Sequence, residues 1–87
     1  MQKITLFILP NCPYCRSALR DLEAVCAEHP ELRQVPIERV DESREPERAN
    51  RYDYYYVPTF YVGERKTHEG AIDRPGVERV LRQAYEG

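Results

Sequence analysis

The segment Lys3 to Leu9 is almost continuously apolar, a pattern that fits a central strand covered on both faces, so helices are expected on both sides of it. Pro10-Asn11-Cys12-Pro13 then breaks the run. Pro13 suits the first turn of a helix, where its missing N–H would be unpaired anyway. From Pro13 to Glu28 the apolar positions change to a three-to-four spacing, Cys15, Leu19, Leu22, Val25 and Cys26, which predicts a helix with one face against the sheet. It should end near His29-Pro30, with Arg16, Arg20, Asp21 and Glu23 on the wet side. Val35 to Val40 is a β-type run carrying Pro36, and a proline inside a strand points to a sheet edge. The helix between the two runs makes them parallel neighbours through a crossover.

Asp41 to Tyr52 is polar and weakly periodic, which predicts a short second helix. Pro58 to Val62 and Arg65 to Glu69 flank Gly63-Glu64, a two-residue connection of the kind that closes antiparallel hairpins. Asp73 can cap a last helix whose Val77, Val80, Leu81 and Ala84 keep helical spacing. The order βαβαββα predicts an α/β domain with a four-stranded mixed sheet and three helices.

With 87 residues the chain is expected to form a single domain, 1–87. Thirteen Lys and Arg against fifteen Asp and Glu give a net charge of −2, so the broad positive field of a nucleic-acid or anionic-membrane binder is missing. The first apolar run is far short of the roughly 20 residues a bilayer span needs, and no small-residue cleavage site follows it. The expected address is the cytoplasm. The three cysteines, Cys12, Cys15 and Cys26, are too few and too uneven for a secreted disulfide framework, and in a reducing compartment they are expected to be chemical.

Cys12-Pro13-Tyr14-Cys15 places two thiols directly after a strand and at a helix start. Unpaired N–H groups and the positive end of the helix dipole favour a thiolate at Cys12, which makes it the nucleophile. Cys15 lies one turn inward on the apolar stripe, close enough to resolve a mixed disulfide formed on Cys12. Two other readings are a structural disulfide and half of a metal site, because Cys26 and His29 repeat the two-residue spacing. A helix between the pairs would separate them by about 15 Å, whereas zinc needs ligands at about 2.0–2.3 Å. No metal ligands are assigned. Cys26 instead reads as a small buried hydrophobe on the helix stripe.

Cys12-Pro13-Tyr14-Cys15 after the first strand, Val57-Pro58 before the hairpin and Gly70 to Asp73 ahead of the last helix together resemble a glutaredoxin of the thioredoxin superfamily. The resemblance spans essentially the whole chain and implies a thioredoxin-like fold and thiol–disulfide exchange, with Cys12 attacking and Cys15 resolving. It implies a cis peptide bond at Pro58, with the Val57 backbone pairing with an extended substrate as an added strand. It also assigns Gly70, Ile72 and Asp73 to the γ-glutamyl end of glutathione, and Tyr14 to the wall of the groove. The implied cosubstrate is glutathione, with no tightly bound cofactor. The implied partners of a monomer are disulfide-containing proteins or glutathione mixed disulfides.

The chain departs from the glutaredoxin pattern at three places. Leu9, Pro10 and Asn11 stand where a Lys or Arg usually precedes the first cysteine, Tyr56 stands where Thr is common, and Glu69 replaces the first of two glycines. These departures raise an alternative in which a flavoprotein of the thioredoxin-reductase type supplies the electrons. A third reading is an iron–sulfur carrier using Cys12, which Pro13 argues against. Arg44, Arg48 and Arg51 would share a face of the second helix, as a substitute cation or as a solvated face balanced by Glu42, Glu45 and Glu47. Of the tyrosines at 52, 54, 55 and 56, one or two are expected to pack over the sheet edge and the others to be exposed. His29 and His68 have no assigned role.

Overall fold

In a computed structural model, which describes residues 1–87, the first apolar run forms strand β1 (Ile4–Ile8). It is followed by helix α1 (Pro13–Glu28), strand β2 (Ile37–Asp41), helix α2 (Pro46–Ala49), strands β3 (Thr59–Val62) and β4 (Arg65–Glu69), and helix α3 (Arg74–Glu86). The sheet order is β2-β1-β3-β4. β1 runs parallel to β2 and antiparallel to β3, and β3 is antiparallel to β4. This is the mixed four-stranded sheet the pattern predicts, with β2 at an edge.

Because successive strand side chains alternate between faces, β1 serves two cores. Ile4 and Leu6 join Phe60 and Val62 under α1 and α3 in a large apolar cluster. Phe7 points the other way, to Val40, Ala49 and Tyr61, and there the cover is the short α2 with Tyr52, Tyr54 and Val57. The Phe7 ring lies 4.7 Å, centroid to centroid, from both Tyr52 and Tyr54. Helices therefore do cover both faces, but very unequally.

Four details differ from the expectations. The second strand begins beyond Pro36 rather than at Val35, because Pro30 starts a 3-10 turn (Pro30–Gln34) that buries Leu32. Pro36, having no N–H to give a ladder, contributes only its carbonyl, which accepts from the Ile4 N–H at 2.8 Å. The second helix is a single turn, since its segment has no apolar stripe to bury. Arg44 and Arg51 fall outside it, so the three arginines share no helix face, and Arg48 is paired with Glu38 at 2.7 Å and Glu45 at 3.4 Å. On α1, Ala18 is fully buried while Leu19 is half-buried. Asp21, expected on the wet side, is largely covered beneath the Arg74 guanidinium at 3.2 Å.

Two local features of the fold have local causes. Gly63 supplies φ +59 at the β3–β4 turn, a region that side chains with a Cβ avoid. Asp73 caps α3 by accepting from the Gly76 N–H at 2.8 Å.

Candidate active site

Cys12 is the N-cap of α1, with extended backbone (φ −102, ψ 112) and Pro13 following in the first turn. An N-cap side chain faces the unpaired N–H groups of the first turn. Here that side chain is a sulfur, and the Cys15 N–H donates to Cys12 Sγ at 3.1 Å. No disulfide joins Cys12 and Cys15 in this structure. Burial pushes the Cys15 thiol up to about 12, and a hydrogen bond with Cys12 adds to the effect. Of the two sulfurs, Cys12 is the accessible one at a helix N-terminus, and Cys15 is held protonated behind it.

The second wall comes from the loop before β3. The Val57–Pro58 peptide bond is cis, and the Val57 carbonyl oxygen lies 3.9 Å from Cys12 Sγ. Gly70, at φ +91, donates its N–H to the Pro58 carbonyl at 2.8 Å. The structure thus brings Cys12, Cys15, Val57, Pro58 and Gly70 into one connected unit. Ile72 packs partly buried against the large core, and Asp73 is exposed with its carboxylate on the Gly76 N–H. Tyr14, between the two cysteines in the chain, is exposed.

Sequence reasoning missed two residues at the site. Ser43 helps Leu9, Pro10, Asn11 and Cys12 line a mostly apolar cleft of 410 Å³. Asp41 sets Ser43 in place by accepting from both its N–H and its hydroxyl, at 2.9 and 2.6 Å. The short Asp-x-Ser spacing was the signal for this turn. Glu69, one of the departures from the glutaredoxin pattern, is engaged: Oε2 accepts from the Tyr55 N–H and, at 2.9 Å, from the Tyr56 N–H. Lys66 Nζ reaches Oε1 at 2.7 Å. The lysine and the two amides hold the Glu69 carboxyl down at about 2.

The remaining candidates lie apart from this unit. Cys26 is buried in the α1 core stripe, where burial raises its thiol. His29 Nε2 is 3.7 Å from Glu78, and His68 Nε2 is 2.7 Å from the Ala71 carbonyl. No group of three or more His, Cys, Asp or Glu side chains is placed to hold a metal ion. No helix is long and apolar enough to cross a membrane.

A thioredoxin of Methanocaldococcus jannaschii is 37% identical over 81 residues, 93% of each chain. The chain belongs to the thioredoxin family. It is accordingly a thiol–disulfide oxidoreductase, and the superfamily expected from the motifs is the one found. No protein-family model matches the sequence. Among solved structures, the fold is shared with a thioredoxin-like protein from Clostridium perfringens (TM-score 0.69, 24% identity, 97% of this chain and 71% of that one). It is shared equally with a thioredoxin of Fasciola hepatica (TM-score 0.68, 20% identity, 93% and 78%) and with a malarial protein (TM-score 0.71, 12% identity, 93% of each). In this chain the pair of thiols follows a central strand, where the first turn of α1 presents one sulfur and covers the other.

Proposed function

We propose that this chain reduces polypeptide disulfides by dithiol exchange, with Cys12 as nucleophile, Cys15 as resolving thiol and Val57 as the backbone that holds the substrate. The observation that carries this reading is the placement of Cys12 Sγ between the Cys15 N–H and the Val57 carbonyl. The Cys12 thiolate attacks one sulfur of the substrate S–S bond, forming a mixed disulfide and expelling the other sulfur as a thiolate. Cys15 then gives up its proton, for which the expelled thiolate is a suitable acceptor, and attacks Cys12 Sγ. The second substrate thiol leaves, and two electrons have passed from the protein dithiol, now a Cys12–Cys15 disulfide, to the substrate. The buried Cys15 cannot start the reaction, because the thiolate and not the thiol is the nucleophile.

For recharging, a flavoprotein of the thioredoxin-reductase type is supported by the relationship to a thioredoxin. The absence of a cation among Leu9, Pro10 and Asn11, and the engagement of Glu69 with the Tyr55 and Tyr56 amides, support it further. Glutathione, the glutaredoxin-like reading, is favoured by the exposed Asp73 carboxylate in the loop that Gly70 ties to Pro58. Either source suits a cytoplasmic monomer acting on disulfide-containing proteins. The deciding experiment follows NADPH oxidation during disulfide reduction, with thioredoxin reductase in one arm and glutathione plus glutathione reductase in the other. Turnover in the first arm alone selects the flavoprotein, and turnover in the second alone selects glutathione. Cys12→Ser should abolish turnover in the active arm, and Cys15→Ser should accumulate a mixed disulfide with the substrate. Full turnover by Cys12→Ser would refute the proposal.

A further inference from the structure

The loop that faces the reactive sulfur is tied to the far edge strand by a side chain the exchange chemistry does not use. In a regular strand, residues three apart point to opposite faces. Lys66 and Glu69 are three apart in β4, yet their side chains meet at 2.7 Å. The register explains this: Thr59 opposes Glu69, Phe60 opposes His68, and Tyr61 opposes Lys66, so Thr67 is an extra residue. This β-bulge resets the alternation and brings Lys66 and Glu69 onto the face where the Tyr54–Pro58 loop passes. The Glu69 carboxylate then accepts from two consecutive loop amides, Tyr55 and Tyr56. Thr59 Oγ1 donates to the Tyr56 carbonyl from β3, and the Gly70 N–H holds the Pro58 carbonyl. The pinned loop carries two aromatic rings that nothing in the fold covers, Tyr55 at 86% and Tyr56 at 70% exposure, directly ahead of Val57. Large exposed aromatics beside a functional group suit contact with a polypeptide, since each ring offers apolar area at low entropic cost.

We infer that Glu69 is a positioning residue that fixes Tyr55 and Tyr56 as a docking surface for an extended polypeptide segment flanking the substrate disulfide. This rests on the proposed reduction of polypeptide disulfides. Lys66 completes the device by orienting the carboxylate, and the bulge at Thr67 makes the pairing possible.

The test compares insulin, a polypeptide disulfide, with bis(2-hydroxyethyl) disulfide, which has no flanking chain, using dithiothreitol as reductant so that the physiological electron source does not enter. Glu69→Ala should raise KM for insulin about five- to tenfold and lower the insulin-to-small-disulfide ratio of kcat/KM about fivefold. Glu69→Gln, whose amide oxygen can still accept from the two N–H groups, should recover much of that loss. Tyr55→Ala/Tyr56→Ala should lower the same ratio at least as far, and amide exchange at Tyr55 and Tyr56 should quicken in Glu69→Ala. Equal losses on both substrates, or an unchanged insulin KM in Glu69→Ala, would overturn the inference while leaving the exchange chemistry standing. Failure of the wild-type chain to reduce insulin, with the small disulfide still reduced, would overturn the polypeptide reading and this inference together.

Discussion

Gly76, in the first turn of α3, offers a test of how tightly the substrate-side loop is built. A Cβ at this position would lie 2.8 Å from Ile72 Cγ1 and 2.9 Å from Asp73 Oδ1, whereas carbon atoms rest at about 3.5–4.0 Å. Gly76 does not have a positive φ, so the backbone would accept alanine and the whole penalty is steric. Ile72 has little room to retreat, being partly buried against the large core. Asp73 can retreat only by giving up its cap on the Gly76 N–H. Overpacking costs about 1–3 kcal/mol, and the lost cap about 1 kcal/mol. The better helix propensity of alanine returns about 1 kcal/mol. Gly76→Ala should therefore destabilise the fold by about 2 kcal/mol, a fall in Tm of roughly 8–16 °C for a domain of this size. Thermal and urea unfolding followed by circular dichroism would measure it. In an Ile72→Ala background, where the atom at 2.8 Å is gone, the same substitution should cost clearly less. A Gly76→Ala chain as stable as wild type, or strictly additive costs in the pair, would refute the steric argument.

Two further outcomes follow from the ionisable groups. Iodoacetamide near neutral pH should label the native chain once, at Cys12, with Cys15 resisting until the pH approaches the value of about 12 at which its thiol ionises; equal labelling of both cysteines would contradict the assignment of roles. Glu38 is held at about 2 by Arg48 first and by Lys3 second, below the ordinary value of about 4.3. Because the folded-state value is depressed, the stability it contributes is present above that ordinary value and is lost as pH falls through about 2. Tm should decline across that window, and less steeply in Glu38→Gln; identical acid profiles for the two chains would rule the contribution out.

The parts of this chain that could be read in advance are those where one local pattern answers to one cause. The limits of α1 follow from Pro13 at one end and His29-Pro30 at the other, and the stripe between them has only one face to bury. Asp73 declared its helix for the same reason. The hidden features depend on pairing between distant segments. Nothing in Arg65-Lys66-Thr67-His68-Glu69 marks an extra residue, because Thr67 is neither glycine nor proline and the bulge exists only relative to β3. Without the bulge, Glu69 reads as a loose charge near the site, when it is the anchor of two amides. Asp21 was misplaced similarly, since its cover is Arg74, 53 residues away. The dithiol was legible from four consecutive residues, but Ser43 at the rim of the cleft required the fold to bring the end of β2 beside Cys12.

The unequal covering of the two sheet faces divides the site mechanically. Cys12 and Cys15 ride on α1, whose inner face is locked into the larger core along with α3. Val57 packs on the smaller one, in a cover shared with a single helical turn and two tyrosine rings. Local opening is easiest where few apolar contacts hold a segment, so amide protons around Val57 should exchange well before those of α1. A substrate thus meets a nucleophile set by apolar packing and a grip set by the hydrogen bonds of Glu69, Thr59 and Gly70. Loss of one of those bonds would loosen the grip while the attacking sulfur keeps its place at the head of the helix.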